Sequence, residues 1–193
     1  MKITKEQLRK IENFAIKKYE ANKDPFHNLD HALMTAKIAS HIAVREGANP
    51  LVCKIASLLH DISPKTRGKP HGLKSAKLAR EFLKKIKLDK KITDQIYLAI
   101  AYHDTSRYKK AKTLEGKIIF EADKLQCFGP LGFVREYGDL LIKGVIPEKA
   151  LKKSLECLKN YNPSFPTKTG RKLKNKLLRL NRLFLEIFNK QRR

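Results

Sequence analysis

Residues 50–63 read PLVCKIASLLHDIS, and their spacing decides the fold class. Leu51, Ile55, Leu58, Leu59 and Ile62 recur at three- and four-residue intervals, the period of a helix with an apolar face. Asn49-Pro50 starts this helix, with Pro50 at the first position, where the missing N–H is one that the helix leaves unpaired anyway. Pro64 disfavours helical geometry at Ser63, so the helix is expected to end just after Asp61. The pair His60-Asp61 therefore closes an apolar segment. Adjacent residues do not share a helix face, but an ion lying over a frayed helix end can reach both.

The same period extends in both directions. Thr4 and Gln7 form a capping box for a helix reaching about Tyr19. Residues 22–28 are a loop around Pro25. A long helix follows from about Leu29 to Glu46, stopped by Gly47. One face of it carries Leu29, Leu33, Ala36, Ala39 and Ala43, and a second carries Met34, Ile38 and Ile42, which predicts a central, largely buried helix. Further helices are expected at about 72–86, 90–103, 114–127, 131–143 and 147–160. Residues 162–170, NPSFPTKTG, read as a linker, and a last helix is expected at about 171–190 with Leu173, Leu177, Leu180, Phe184 and Ile187 as its docking stripe. No strand-like alternation stands out. The expectation is an all-α fold: one domain over 1–193, with a core at about 22–143 and C-terminal helices at about 147–193 packed on it.

Composition narrows the function classes. The chain has 193 residues, with 43 Lys and Arg against 19 Asp and Glu, a net charge of +24. Such a surface attracts polyanions, so weak, salt-sensitive nucleic-acid binding is expected, although a solvated lysine-rich surface accounts for the same charge. The segment 168–193 is especially basic, with Glu186 as its acidic residue, but the excess is spread along the whole chain. The start lacks a signal-peptide core, no apolar run has the length of a membrane span, and Cys53, Cys127 and Cys157 form no CxxC. A cytoplasmic protein is expected.

Five polar residues stand where apolar ones or helix ends belong. They are His31, His60, Asp61, His103 and Asp123, the last among Ile118, Ile119, Phe120, Ala122 and Leu125. A lone histidine in such a place is ordinarily a packed core residue. A buried carboxylate, however, costs several kcal/mol unless it is paired or metal-bound. One shared site explains the five together. Imidazole nitrogens with carboxylates suit a divalent metal, and a metal so held activates water, so a metal-dependent hydrolase is expected.

The stretches HNLDHALMTAKIA, ASLLHDISPK, HGLKSAKLA, AIAYHD and IIFEADKLQCFGPLGF occur in this order over roughly residues 27–140, and there the chain resembles the HD-domain superfamily of metal-dependent phosphohydrolases. The resemblance implies an all-helical bundle with a central metal site and His31, His60, Asp61 and Asp123 as the ligands. It implies hydrolysis of a phosphate ester, with a nucleotide or related small phosphorylated molecule as substrate and Mn²⁺, Fe²⁺, Co²⁺, Ni²⁺ or Mg²⁺, one or two ions, as cofactor. The acidic stretch usual in relatives reads EADKLQ here, with Glu121 and Gln126 at its outer positions, and Ser63 replaces a glycine common after the motif. Two readings of His71 and His103 stay open. They hold a second ion with Asp61 bridging, or His71 is a loop residue near a helix N-terminus and His103 a residue supporting the ligands or contacting substrate. Lys65 and Arg67, with Lys69, either contact phosphate or are ordinary loop charge, and Lys124 either orients substrate or neutralises the site. Asp104 is a weak candidate for general acid beside His103, His27 a supporting residue four before His31, and His41 faces outward without a role. The competing reading is a nucleotide- or nucleic-acid-binding module on the same scaffold, with weak or no catalysis.

Overall fold

A computed structural model describes residues 3–22, 24–63, 71–105 and 107–192. Lys65, Arg67 and Lys69, expected either to contact phosphate or to be ordinary loop charge, lie outside the described residues. The described residues form α1 (Lys5–Ala21), α2 (Leu29–Glu46), α3 (Pro50–Leu59), α4 (His71–Lys85), α5 (Lys90–Ala101), α6 (Leu114–Leu125), α7 (Gly129–Ile142), α8 (Pro147–Asn160) and α9 (Lys168–Gln191), with a 3-10 turn at Tyr108–Lys110 and no strand. None of the described helices is long and apolar enough to cross a membrane. The chain divides into two compact units, 1–122 and 123–193.

In the first unit, local chemistry sets the helix limits. The Thr4–Gln7 capping box forms, each side chain pairing with the other's backbone N–H at 3.1 Å. Asn28 caps α2 by accepting from the His31 amide at 3.0 Å, and Gly47 ends it at φ +73°, a left-handed conformation that a side chain disfavours. Asn49 caps α3 through the Leu51 and Val52 amides. α2 packs on α3, α3 on α5, and α4 on α5, with Ile42, Ile55, Leu58, Leu59, Ile96 and Ile100 in the core.

α2 is not buried on two faces as expected. Its inner side is a ridge of Ala32, Ala36, Ala39 and Ala43 with His31, Thr35 and Ile42, while Leu33 and Met34 are 49% and 41% exposed. The side turned to the core thus carries mostly small side chains, and the larger Leu33 and Met34 turn outward.

In the second unit, α7 packs on α8 and α9, and α8 on α9. The linker reading of 162–170 ends early, because Thr167 caps α9 through the Gly170 amide at 2.9 Å and the helix begins at Lys168. The docking stripe is also rotated. Leu180 and Ile187 are 40% and 49% exposed, whereas Asn181 is 2% exposed. Asn181 accepts from the Gly129 amide at 2.6 Å and donates to the Leu158 carbonyl at 2.9 Å. It thereby satisfies the start of α7 and the end of α8, a function no leucine can serve.

Candidate metal centre

Four helix ends of the first unit bring the chemistry together. His31 lies in the first turn of α2. His60 and Asp61 follow α3, which ends at Leu59, two residues before the expected limit. His71 opens α4, and His103 stands two residues beyond α5, which ends at Ala101 rather than at 103. Lying past a helix end frees His60, Asp61 and His103 from the angular spacing of helical neighbours. His31, His60, Asp61 and His103 are all at most 3% exposed.

The carboxylate of Asp61 lies between two pairs of imidazoles. Its Oδ2 is 3.5 Å from His60 Nε2 and 4.0 Å from His31 Nε2. Its Oδ1 is 2.9 Å from His71 Nε2 and 3.5 Å from His103 Nε2, and those two nitrogens are 3.2 Å apart. The rings follow one another at centroid distances of 5.3 Å (His31–His60), 4.9 Å (His60–His103) and 5.1 Å (His103–His71). Among the described residues of the first unit, two ligand sets result, His31/His60/Asp61 and Asp61/His71/His103, each with its ligand atoms within 4.8 Å of one another.

The far side of each ring decides which nitrogen faces inward. His60 Nδ1 lies 2.6 Å from the Ser57 carbonyl and His103 Nδ1 2.7 Å from the Ile100 carbonyl. A carbonyl only accepts, so the proton sits on Nδ1 and Nε2 turns a lone pair toward Asp61. His71 Nδ1 lies 3.0 Å from Asp104 Oδ1, which orients it in the same way. Imidazoles anchored on carbonyls and a carboxylate, with lone pairs converging on a second carboxylate, fit a divalent metal both in ligand type and in the orientation of those ligands.

Asp104, the weak candidate for general acid, contacts both His71 and the first turn of α4. It is 6% exposed and also accepts from the Gly72 amide at 3.0 Å. Burial pushes its carboxyl up, but the His71 hydrogen bond, the nearby imidazoles and the Gly72 amide outweigh burial and hold it below the usual carboxylate range. The fit at Gly72 is close: a Cβ there would lie 2.6 Å from Asp104 Oδ2 and 3.1 Å from His103 Cε1.

A second aspartate–histidine pair flanks His31. Asp24 Oδ1 accepts from the amides of Phe26 and His27 at 2.9 and 3.0 Å, and its Oδ2 lies 3.0 Å from His27 Nδ1. The His27 ring stands edge-on to His31 at 5.5 Å. Burial raises the Asp24 carboxyl, but these hydrogen bonds and the charge of His27 leave it lowered overall. Asp24 drew no attention in the sequence; the signal was its place before Pro25, where an aspartate folds back on the amides that follow.

Asp123 opens the second unit, in the last turn of α6, largely buried and 2.7 Å from Lys124 Nζ through Oδ2. Burial alone would lower Lys124, yet Asp123 beside it raises it above the usual lysine range. His41 is exposed beside Arg45.

A family model, described as the HD domain, matches residues 28–127. The chain is 33% identical over 142 residues to Ribonuclease Y of Chloroflexus aurantiacus; this stretch is 72% of this chain but 24% of that protein, so the chain spans about a quarter of its relative's length. Among solved structures, a predicted HD superfamily hydrolase from an uncultured Thermotogales bacterium aligns at TM-score 0.72 with 24% identity, covering 95% of this chain and 92% of the other. YpgQ of Bacillus subtilis, solved in complex with ADP, aligns at TM-score 0.69 with 18% identity, covering 96% and 95%. These likenesses agree with the all-helical fold, and the family match spans more than half of the residues, from the α2 cap to the end of α6: the chain belongs to the HD-domain family.

Proposed function

We propose that this protein is a metal-dependent phosphohydrolase acting on a phosphate ester, with a nucleotide or related small phosphorylated molecule as substrate. The observation that carries this reading is the set of oriented imidazoles around Asp61, each with its outer nitrogen tied to a carbonyl or carboxylate. His31, His60 and Asp61 would hold one ion, with Asp123 as the further ligand that the family resemblance implies. In the second ligand set, Asp61, His71 and His103 would hold another ion. A divalent ion bound in this way polarises a phosphoryl oxygen and makes water more acidic.

The chain's own groups do the rest. Asp104 keeps His71 in the tautomer that can ligate. His27, held by Asp24 beside His31, donates the proton that the leaving oxygen needs. Lys65 and Arg67 offset negative charge at phosphorus. The ADP bound by YpgQ supports a substrate of nucleotide size. The net charge of +24 favours a second reading, a nucleic-acid-binding module with weak catalysis, in which the RNA-directed name of the Chloroflexus relative finds its place.

Metal analysis of the purified protein, followed by a phosphatase screen over nucleotides with each divalent ion, tests the first reading. Asp61→Ala is expected to lose both metal and turnover, because Asp61 belongs to both ligand sets. Wild-type metal content in that variant refutes the site. Nucleic-acid binding that persists at several times physiological salt, with one preferred sequence, supports the module instead.

A further inference from the structure

Within the second unit, α7 and α9 share a face that the described residues leave exposed. The start of α7 lies against α9, since a Cβ at Gly129 would stand 3.1 Å from Leu180 Cδ2. One turn further along, the Phe133 ring meets those of Phe184 and Phe188 at centroid distances of 5.3 and 5.9 Å. The two helices therefore run in the same direction, and α8 packs on both. Counted from these contacts at about 100° per residue, Leu131, Val134, Leu141 and Ile142 of α7 and Leu180, Leu183 and Ile187 of α9 fall on one side of the pair, the side away from α8. All seven are exposed, from 37% at Leu141 to 66% at Ile142, and Ile146 in the turn after α7 is 62% exposed. Aliphatic side chains gathered in water in this way mark a contact surface.

Charge borders this face. Lys172, Lys176 and Arg179 are exposed on α9 within about a quarter turn of its aliphatic row. The nearby acids do not offset them: Glu186 is paired with Lys190 at 2.8 Å, Asp139 is paired with Lys143, and Glu136 stands on the opposite side of α7. The second unit as a whole carries 17 Lys and Arg against 6 Asp and Glu.

The combination selects the occupant. The excess of positive charge repels a second copy of the same face. A nucleic acid matches the charge but leaves the aliphatic row uncovered. An anionic bilayer matches both, because its headgroups meet the basic edge while the aliphatic side chains reach the acyl boundary. Lysine suits that boundary: its stem lies along apolar surface and its ammonium group stays at the level of the phosphates.

We propose that this face seats the protein on an anionic membrane surface, with α7 and α9 lying in the plane of the headgroups. The helices rest on the bilayer rather than cross it, as their composition requires.

The chain contains no Trp, so Leu183→Trp places a single fluorescent reporter on the face, at a position 52% exposed. The full chain is mixed with vesicles of equal parts phosphatidylglycerol and phosphatidylcholine. A blue shift of emission, and quenching by lipids brominated on their acyl chains, are expected. Val44→Trp, at a position 67% exposed on α2, is expected to show neither. Val134→Ser/Ile187→Ser removes no charge and is expected to weaken co-sedimentation with these vesicles about tenfold or more. Lys172→Gln/Lys176→Gln/Arg179→Gln is expected to weaken it about 100-fold, at about fivefold for each charge. Sedimentation without a shift at Leu183→Trp, or unchanged by Val134→Ser/Ile187→Ser, overturns the proposal, because charge alone then holds the chain to the vesicle. A shift that grows with protein concentration in the absence of vesicles assigns the face to a second copy, and a shift produced by an oligonucleotide assigns it to nucleic acid; either overturns the membrane contact.

Discussion

Asp104→Asn isolates the second ligand set from the first. The carboxylate accepts two hydrogen bonds, from His71 Nδ1 and the Gly72 amide, each at 3.0 Å. The amide side chain has the same shape but only one oxygen and no charge. It can keep one of the two bonds, and its NH₂ group cannot accept from the other donor. His71 then loses the anion that keeps its proton on Nδ1 and its Nε2 lone pair toward Asp61. Removing such an outer partner of a metal-bound histidine typically costs about 10–100-fold in affinity, roughly 1.4–2.8 kcal/mol. The His31/His60/Asp61 set makes no contact with Asp104 among the interactions described above, so its ion is expected to be unaffected. Calorimetric titration with Mn²⁺ reads both at once: the wild type is expected to show two classes of site, the variant one unchanged class and one weakened by that factor. Equal weakening of both classes, or no change in either, refutes the division of labour around Asp61.

Three further outcomes follow from other parts of the structure. His27→Gln is expected to lower kcat by about 100-fold on a substrate with an alkoxide leaving group, and far less on p-nitrophenyl phosphate, whose leaving group needs no proton; equal losses on both remove His27 from proton transfer. Asn181→Leu strands the Gly129 amide and the Leu158 carbonyl and is expected to cost about 2–5 kcal/mol, read as a fall in Tm of about 5–15 °C, with a loss below about 1 kcal/mol counting against the bridge. For Cys53, burial first and then Glu115 push the thiol from 9.0 up to about 12. The unfolded chain therefore sheds this proton earlier, stability is full below about pH 9, and it falls as pH rises toward about 12 by up to roughly 1.4 kcal/mol per unit. Urea unfolding at about pH 8 and about pH 10.5 is expected to show the wild type losing about 2 kcal/mol more than Cys53→Ala, and parallel losses refute the burial argument.

How far the sequence could be read varies with how local the deciding contact is. The limits of α2 agree to the residue because Asn28 and Gly47 act within a turn of themselves. The faces of α2 and α9 did not agree. An apolar periodicity ranks side chains by their own affinity for water, and it cannot know that the alanines of α2 turn to the core while Leu33 is left outside. Nor can it know that Asn181 meets one amide from α7 and one carbonyl from α8, and is worth more inside than Leu180.

The candidate site divides along the same line. His60 and His103 are each tied to the carbonyl three residues back, Ser57 and Ile100, as the chain leaves a helix. That device needs nothing beyond the helix end itself, so an imidazole just past an apolar helix already points to an oriented ligand, and both residues stood out in the sequence. His71 is different. Its orienting acceptor, Asp104, is 33 residues away and reaches it only because α4 and α5 pack with Gly72 between them. The glycine carries no chemistry of its own, and the aspartate reads as a spare acid beside His103. Their roles appear only when the two helices are set side by side, where any side chain at position 72 would fall on the carboxylate that holds His71 in place.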